Sequence, residues 1–262
     1  MPALYDQIGA TYSATRRADP SIAQVLAEYV GTSEAGSFLD IGCGTGNYTC
    51  AVAAHGGQWH GVDPSAEMLE QAKVKSSRIS WRLGSAEALP FAGGSFAGAI
   101  CSLALHHFAS VATAFSEAFR VLRSGRLVLF TAFPDQMRNY WLCHYFPEMM
   151  EKSIHRMPSR ALVIEELRNA GFSEPLIMPF HVSTRLQDMF LYSGKLRPEL
   201  YLEPAVRSNI SSFATLCPPR ELNQGLSALR DDISNNRFQA LLQQYPTEQG
   251  DYAFVIATKA GI

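Results

Sequence analysis

The sequence predicts an α/β fold, a mostly parallel sheet with helices on both faces, and three observations predict it. Strand-like and helix-like periods alternate from about residue 20 to residue 183. The connections between them are short, as sequential packing of strand and crossover helix requires. The first strand runs into a glycine turn, Gly42-Cys43-Gly44-Thr45-Gly46, directly before a helix.

The elements follow in order. Asp19-Pro20 reads as an N-cap with proline at the first helical position, and Ile22, Val25, Leu26, Tyr29 and Val30 share one face before Gly31 stops the run. A strand over Phe38 to Ile41 leads to the glycine turn, and the helix through Tyr48 and Val52 closes at Gly56-Gly57. Strand Gln58 to Val62 reaches Asp63-Pro64-Ser65, after which Met68, Leu69 and Ala72 mark a helix. Further strands are expected at Ile79 to Leu83 and Phe96 to Cys101, then a helix carrying Val111, Ala114, Phe115, Ala118, Phe119 and Leu122. Ser124-Gly125 is expected to end that helix, and Arg126 to Thr131 to form the next strand. Residues 134–158 read as helical with a blurred period, Ser159 to Ala170 as a clear helix, and Pro175 to Ser183 as a strand. After a long, proline-broken helical stretch, Tyr252 to Thr258 makes a seventh strand, which fits an antiparallel last hairpin with a helical insertion between its strands.

Composition narrows the function classes. Twenty-two basic and 24 acidic residues leave a formal net charge of -2 with no Lys/Arg stripe, which points away from nucleic acid as a partner. Apolar residues make up 47% of the 262, enough for a sizeable core, yet no apolar run approaches a membrane span. The start MPALYDQIGA lacks the basic and apolar regions of a signal peptide. Five cysteines, Cys43, Cys50, Cys101, Cys143 and Cys217, without a CxxC pair suggest reduced thiols and a cytoplasmic location. No His, Asp and Glu cluster has metal-ligand spacing, so no metal is expected.

The glycine turn carries most of the information. Glycines between strand and helix let a ligand approach the backbone closely, and the helix start favours an anionic group. The spacing is GxGxG, whereas the dinucleotide fingerprint is GxGxxG, which disfavours a nicotinamide dehydrogenase. Asp63 closes the second strand 17 residues after Gly46, where a carboxylate can accept both hydroxyl protons of a ribose. A helix cap is the other reading of Asp63, but Ser65 serves that purpose equally well.

The segments DIGCGTGNYT, GVDPSAEMLEQA, GSAEALPF, SFAGAICSLALHHF and VLRSGRLVLF resemble, in that order, the motifs of class I S-adenosylmethionine-dependent methyltransferases. The resemblance spans about residues 36–132 and is greatest to the small-molecule branch that includes the ubiquinone/menaquinone C-methyltransferases. It implies a Rossmann-like core over 31–183 and 251–262, a seven-stranded sheet with an antiparallel last strand, helical lid insertions at 134–158 and 184–250, and an N-terminal helical flap over 1–30. It implies S-adenosyl-L-methionine as cofactor, with Asp40, Gly42, Cys43 and Gly44 at the methionine end, Asp63 and Pro64 at the ribose and Met68 near the adenine. The chain departs from the pattern at Ser85, where the family carries an adenine-binding Asp; that leaves Ala86 and Glu87 as the adenine candidates. Ser102, at the end of the fourth strand, is a further cofactor candidate. Tyr12 and Arg17 lie in the flap segment, where an aromatic can face a sulfonium and an arginine a carboxylate, or both can pack a surface helix.

Methyl transfer from a sulfonium is an in-line displacement that needs alignment and exclusion of water, and needs a base only for a protonated acceptor. His106 and His107 after the fourth strand, together with His144 and Tyr140 in the first insertion, are the candidate bases, and the His-His pair is equally explained as structural. Aromatic and methionine side chains of the insertions suit a partly apolar or aromatic acceptor, methylated at O, N or C. The alternatives are a cofactor-binding protein that does not methylate, the fold reused for another reaction, and a thiol-dependent methyltransferase acting on an arsenite-type acceptor. The acceptor and the oligomeric state, monomer or homodimer, leave no signal in the sequence.

Overall fold

The computed structural model describes residues 15–246 and 248–261. Helix α1 (Pro20–Val30) starts where predicted: one Asp19 carboxylate oxygen accepts from the Ser21 and Ile22 amides, and left-handed Gly31 ends it. There follow β1 (Ser37–Ile41), α2 (Asn47–Ala53), β2 (Gln58–Asp63), α3 (Ala66–Lys75), β3 (Ser80–Leu83), β4 (Phe96–Ser102), α4 (Val111–Val121) and β5 (Leu122–Thr131). The first insertion holds α5 (Pro134–Met137), α6 (Leu142–Tyr145) and α7 (Pro147–His155), after which come α8 (Arg160–Asn169) and β6 (Leu176–Phe180). The second holds α9 (Pro204–Ser208), α10 (Ser211–Thr215), α11 (Pro219–Ser234) and α12 (Phe238–Leu242), before β7 (Tyr252–Lys259).

The seven strands lie in the order β3-β2-β1-β4-β5-β7-β6. β1 to β5 are mutually parallel, and β7 runs antiparallel between β5 and β6. The strand order reverses between β1 and β4, so their carboxyl ends open the crevice in which such sheets bind ligands. Two apolar clusters flank the sheet. One joins α1 and α2 to the insertions through Ile22, Val52, Trp141, Phe146 and Tyr201; the other joins α4 to α8 through Phe115, Val121, Val163 and Leu167.

Two expectations change and one sharpens. The helix before β5 ends at Val121, not at Ser124-Gly125, because Leu122 already pairs with Phe96. The register then jumps to Gly98 opposite Arg126, a bulge in which Gly125 (φ +101°) lies so close to Ala97 that a Cβ would meet its carbonyl oxygen at 2.0 Å. Residues 134–158, read as helical with a blurred period, resolve into three short helices, because Tyr140, Trp141, Leu142, Tyr145 and Phe146 are all buried and no single apolar stripe exists. The strand expected over 175–183 is confined to Leu176–Phe180, where Pro179 is tolerated because β6 is the sheet edge.

Both insertions are fastened to the start of β7. Asp251, fully buried, receives the Lys195 ammonium at 2.9 and 3.0 Å and the Val182 amide at 2.8 Å, while its carbonyl accepts the Tyr140 hydroxyl. Tyr140 stacks on Tyr192 with ring centroids 3.8 Å apart. Among the described residues no helix is long and apolar enough to cross a membrane.

Candidate active site

A cavity of about 580 Å³ lies above the carboxyl ends of β1, β2 and β4. The sheet edge supplies some of its walls, including Gly42, Cys43, Gly44, Asp63, Pro64, Met68, Ser85, Ala86, Glu87 and Ser102. The insertions supply others, among them Met137, Tyr140, Met157, Phe190 and Leu216. His106 and His107 line it as well.

The turn after β1 is built by two glycines with opposite tasks. Gly46 (φ +74°) is closed in: a Cβ there would stand 2.4 Å from the Trp81 ring, which is itself pinned by a 3.0 Å bond from Nε1 to the Ser76 carbonyl. Gly44 (φ +52°) lines the cavity, and a Cβ there would meet nothing within 4 Å. The empty space beside Gly44 is where a ligand can touch the backbone. The turn is held by Gly42 and Cys43 amides donating to the Val62 carbonyl, at 2.8 and 3.0 Å, and by Lys75 Nζ donating to Thr45 and Asn47.

Asp63 lies beside it. One carboxylate oxygen accepts the Gly44 amide at 2.8 Å and the other the Ser65 amide at 2.9 Å, so the group is oriented by backbone alone. Ser65 Oγ accepts the Met68 amide and caps α3, leaving Asp63 unneeded for that purpose. Burial pushes the Asp63 carboxyl up, against the pull of its two amides. Asp40 lies beneath the turn, outside the cavity lining, and accepts from Thr49 Oγ1 at 2.6 Å. Burial raises it to about 7, and its second oxygen has no partner among the described residues.

Next to Asp63, Met68 is buried and Ser85, Ala86 and Glu87 border the cavity. Glu87 Oε1 accepts the Ala109 amide at 2.8 Å and the Ser110 amide at 3.4 Å. Ser102 Oγ is buried and unpartnered among the described residues, at the carboxyl end of β4.

His106 and His107 share a single 3₁₀ turn, with ring centroids 3.9 Å apart. Burial, the His107 ring, and the Arg156 and Arg16 charges hold His106 well below the usual imidazole range. Desolvation and Arg156 lower His107 to about 4, although the residue has an exposed face. Both rings are therefore neutral at pH 7, each with a lone pair able to accept a proton. Tyr140 borders the cavity but is a poor base, since its hydroxyl is spent on the Asp251 carbonyl and burial pushes it well above the phenol range.

Other expected residues fall elsewhere. His144 is exposed, packs its ring on Tyr145 and does not line the cavity. Arg17 is exposed and also outside the lining, whereas its neighbour Arg16 lines it; Tyr12 lies outside the described residues. Arg16 Nε donates to Asp188 at 2.6 Å, and Tyr48 donates its hydroxyl to the same carboxylate at 3.1 Å. Arg16, Tyr48, Asp188 and Arg156 line the cavity without any motif in the sequence to announce them.

The thiols fit no soft-metal chemistry. Burial raises all five, Cys143 to about 11 and Cys217 to about 12, which opposes the thiolate form. Among the described residues no three His, Cys, Asp or Glu side chains group as a metal site.

The residues present fit a nucleoside with an amino-acid tail. The open side of Gly44 is a cradle that a Cβ would fill, Asp63 is aimed by two amides, and Ser102 Oγ lacks a partner. Comparison with known proteins agrees in kind. A methyltransferase-domain family matches residues 39–130. The crystal structure of a putative methyltransferase from an antibiotic biosynthesis pathway of Anabaena variabilis is 31% identical, covers 93% of this chain and 99% of its own, and superposes with a TM-score of 0.84. A malonyl-[acyl-carrier protein] O-methyltransferase of Erwinia billingiae is 35% identical over 58% of this chain and 59% of its own. A demethylmenaquinone methyltransferase of Lactiplantibacillus plantarum is 38% identical over 37% of this chain and 46% of its own. The chain thus spans about half the length of these two curated relatives.

Proposed function

The chain belongs to the class I S-adenosylmethionine-dependent methyltransferases, and from that premise we propose that it methylates O, N or C of a small molecule with a substantially apolar body. One observation carries the proposal: a single cavity joins the glycine turn and Asp63 to walls made by the insertions. Its size, about 580 Å³, falls within the range of pockets that enclose small ligands.

When bound, S-adenosylmethionine supplies a methyl carbon already activated by a positive sulfur. The chain then has to align and to exclude water, and orientation of this kind lowers barriers by about 7–11 kcal/mol. Gly44 gives the cofactor's tail access to the backbone, and Ser102 Oγ offers that end a free hydroxyl. Each Asp63 oxygen accepts one amide and keeps a lone pair for a ribose hydroxyl. Met68, with Ser85, Ala86 and Glu87, would border the adenine. His106 or His107, both neutral, takes the proton of an acceptor that arrives protonated. The insertions cover the cavity with Met137, Met157, Phe190 and Leu216 and keep water out.

Incubation with methyl-labelled cofactor and a metabolite extract is expected to label a small molecule while S-adenosylhomocysteine accumulates. Label passing only to polypeptide or nucleic acid refutes the acceptor class. Calorimetry that finds no affinity for either form of the cofactor, or equal affinity in Asp63→Ala, removes the cofactor assignment.

A further inference from the structure

The acceptor side of the cavity holds a positive charge that nothing described answers. Arg156, the exposed C-cap of α7, lines the cavity, and its guanidinium has no hydrogen-bond or ion-pair partner among the described residues. Each carboxylate bordering the cavity has partners other than Arg156. Asp63 accepts the Gly44 and Ser65 amides, Glu87 the Ala109 and Ser110 amides, and Asp188 the Arg16 guanidinium and the Tyr48 hydroxyl.

We propose that Arg156 binds an anionic group of the acceptor, which is therefore an apolar body carrying a carboxylate or a phosphate. The inference rests on the methyltransferase reading and narrows its substrate class. The surroundings of Arg156 fit such a molecule. Met157, Ile210 and Leu216 supply apolar wall, and Ser153, one turn earlier on α7, shares a 2.8 Å hydroxyl pair with Ser212. A wholly apolar acceptor gains nothing from the guanidinium, and a cationic one would be repelled. A carboxylate or phosphate gains the planar, two-pronged pairing that arginine offers, the stronger class of hydrogen bond.

The cofactor's own carboxylate is the competing occupant, but the cavity has a second arginine, Arg16, on the side of the glycine turn. Arg16 is anchored beside the glycine turn, its carbonyl accepting Asn47 Nδ2 at 2.8 Å, whereas Arg156 enters from the first insertion. An anion at Arg156 also cancels a charge that lowers both histidines, so acceptor binding makes His106 and His107 better proton acceptors at the moment one is required.

The test uses protein saturated with S-adenosylhomocysteine, titrated calorimetrically with octanoate, octyl phosphate, octanol and octyltrimethylammonium. At least one anion is expected to bind about tenfold or more tighter than octanol, with the ammonium weakest. Arg156→Gln should cost that anion about tenfold, leave octanol and S-adenosylhomocysteine within about twofold, and be partly rescued by Arg156→Lys. The preferred anion tells carboxylate from phosphate. In the same variant the His107 NMR titration midpoint should rise from about 4. The proposal is overturned if neither anion outbinds octanol, if Arg156→Gln leaves anion binding intact, or if that variant loses S-adenosylhomocysteine by the same factor, which assigns Arg156 to the cofactor. Failure of the parent protein to bind S-adenosylhomocysteine at all strikes the methyltransferase reading instead.

Discussion

Two substitutions in one turn separate what the fold needs from what the ligand needs. Gly44 and Gly46 both have positive φ, so an alanine at either adopts left-handed backbone at a cost of about 1–2 kcal/mol. At Gly44 that is the whole structural penalty, since the new methyl meets nothing within 4 Å. At Gly46 the methyl collides with a Trp81 ring that its own hydrogen bond holds in place, adding about 1–3 kcal/mol of overpacking. With about 2–4 °C lost per kcal/mol for a domain of this size, Gly44→Ala is expected to lower Tm by about 2–8 °C and Gly46→Ala by about 4–20 °C. Cofactor affinity should respond in the opposite order. The Gly44 methyl occupies the space a ligand would take, so folded Gly44→Ala is expected to bind S-adenosylhomocysteine at least about a hundredfold more weakly, a loss of roughly 3 kcal/mol. Differential scanning fluorimetry and calorimetry on the same preparations read both quantities. Parental affinity in Gly44→Ala, or a larger Tm loss there than in Gly46→Ala, refutes the assignment of Gly44 to the ligand.

Three further outcomes are expected. Asp40, raised to about 7, is protonated in the folded chain over a range where the unfolded chain ionises, so its contribution is full below pH 3.8 and is lost as pH rises to about 7. Asp40→Asn should therefore gain on the parent by about 4 kcal/mol between pH 4 and 8 in urea titrations, and a pH-independent difference contradicts the assignment. Asp188→Ala leaves Arg16 and Tyr48 without their shared carboxylate and should cost about 3–5 kcal/mol, part of which Arg16→Ala returns in the double variant; simple additivity would show that the pair does not act as a unit. Joint replacement of Cys143 and Cys217 by serine should leave methyl transfer unchanged, and abolished turnover would revive thiol-dependent chemistry.

How much the sequence reveals depends on how locally each feature is determined. Strands β1 to β5 and helices α1 to α4 were legible because their buried faces repeat with clean periods, as in Ile22, Leu26 and Val30 or Ala114, Phe115 and Ala118. The boundary at β5 was not, because a glycine bulge opposite Ala97 resembles a helix stop when only propensity is visible. The first insertion was blurred because its buried residues belong to three short helices and the turns between them, with no single period running through Met137, Tyr140, Trp141, Leu142, Tyr145 and Phe146, and the span from Arg185 to Arg197 is held by single long-range bonds such as Lys195 to Asp251. In the site, the turn and Asp63 stand out because spacing defines them. Arg16 against Arg17 differs by one residue's phase, and Arg156 and Asp188 are isolated charges whose meaning exists only after the chain has folded over the sheet edge.

The placement of β7 between β5 and β6 constrains the timing of biogenesis. When β6 leaves the ribosome its hydrogen-bonding partner has yet to be translated, and some 70 residues separate the two strands. At ordinary elongation rates that interval lasts about 4–14 s. For that time β5 ends in an open edge and the insertions lack Asp251, their common anchor, so the nascent protein waits in a sticky, half-assembled state that a chaperone is well suited to shelter.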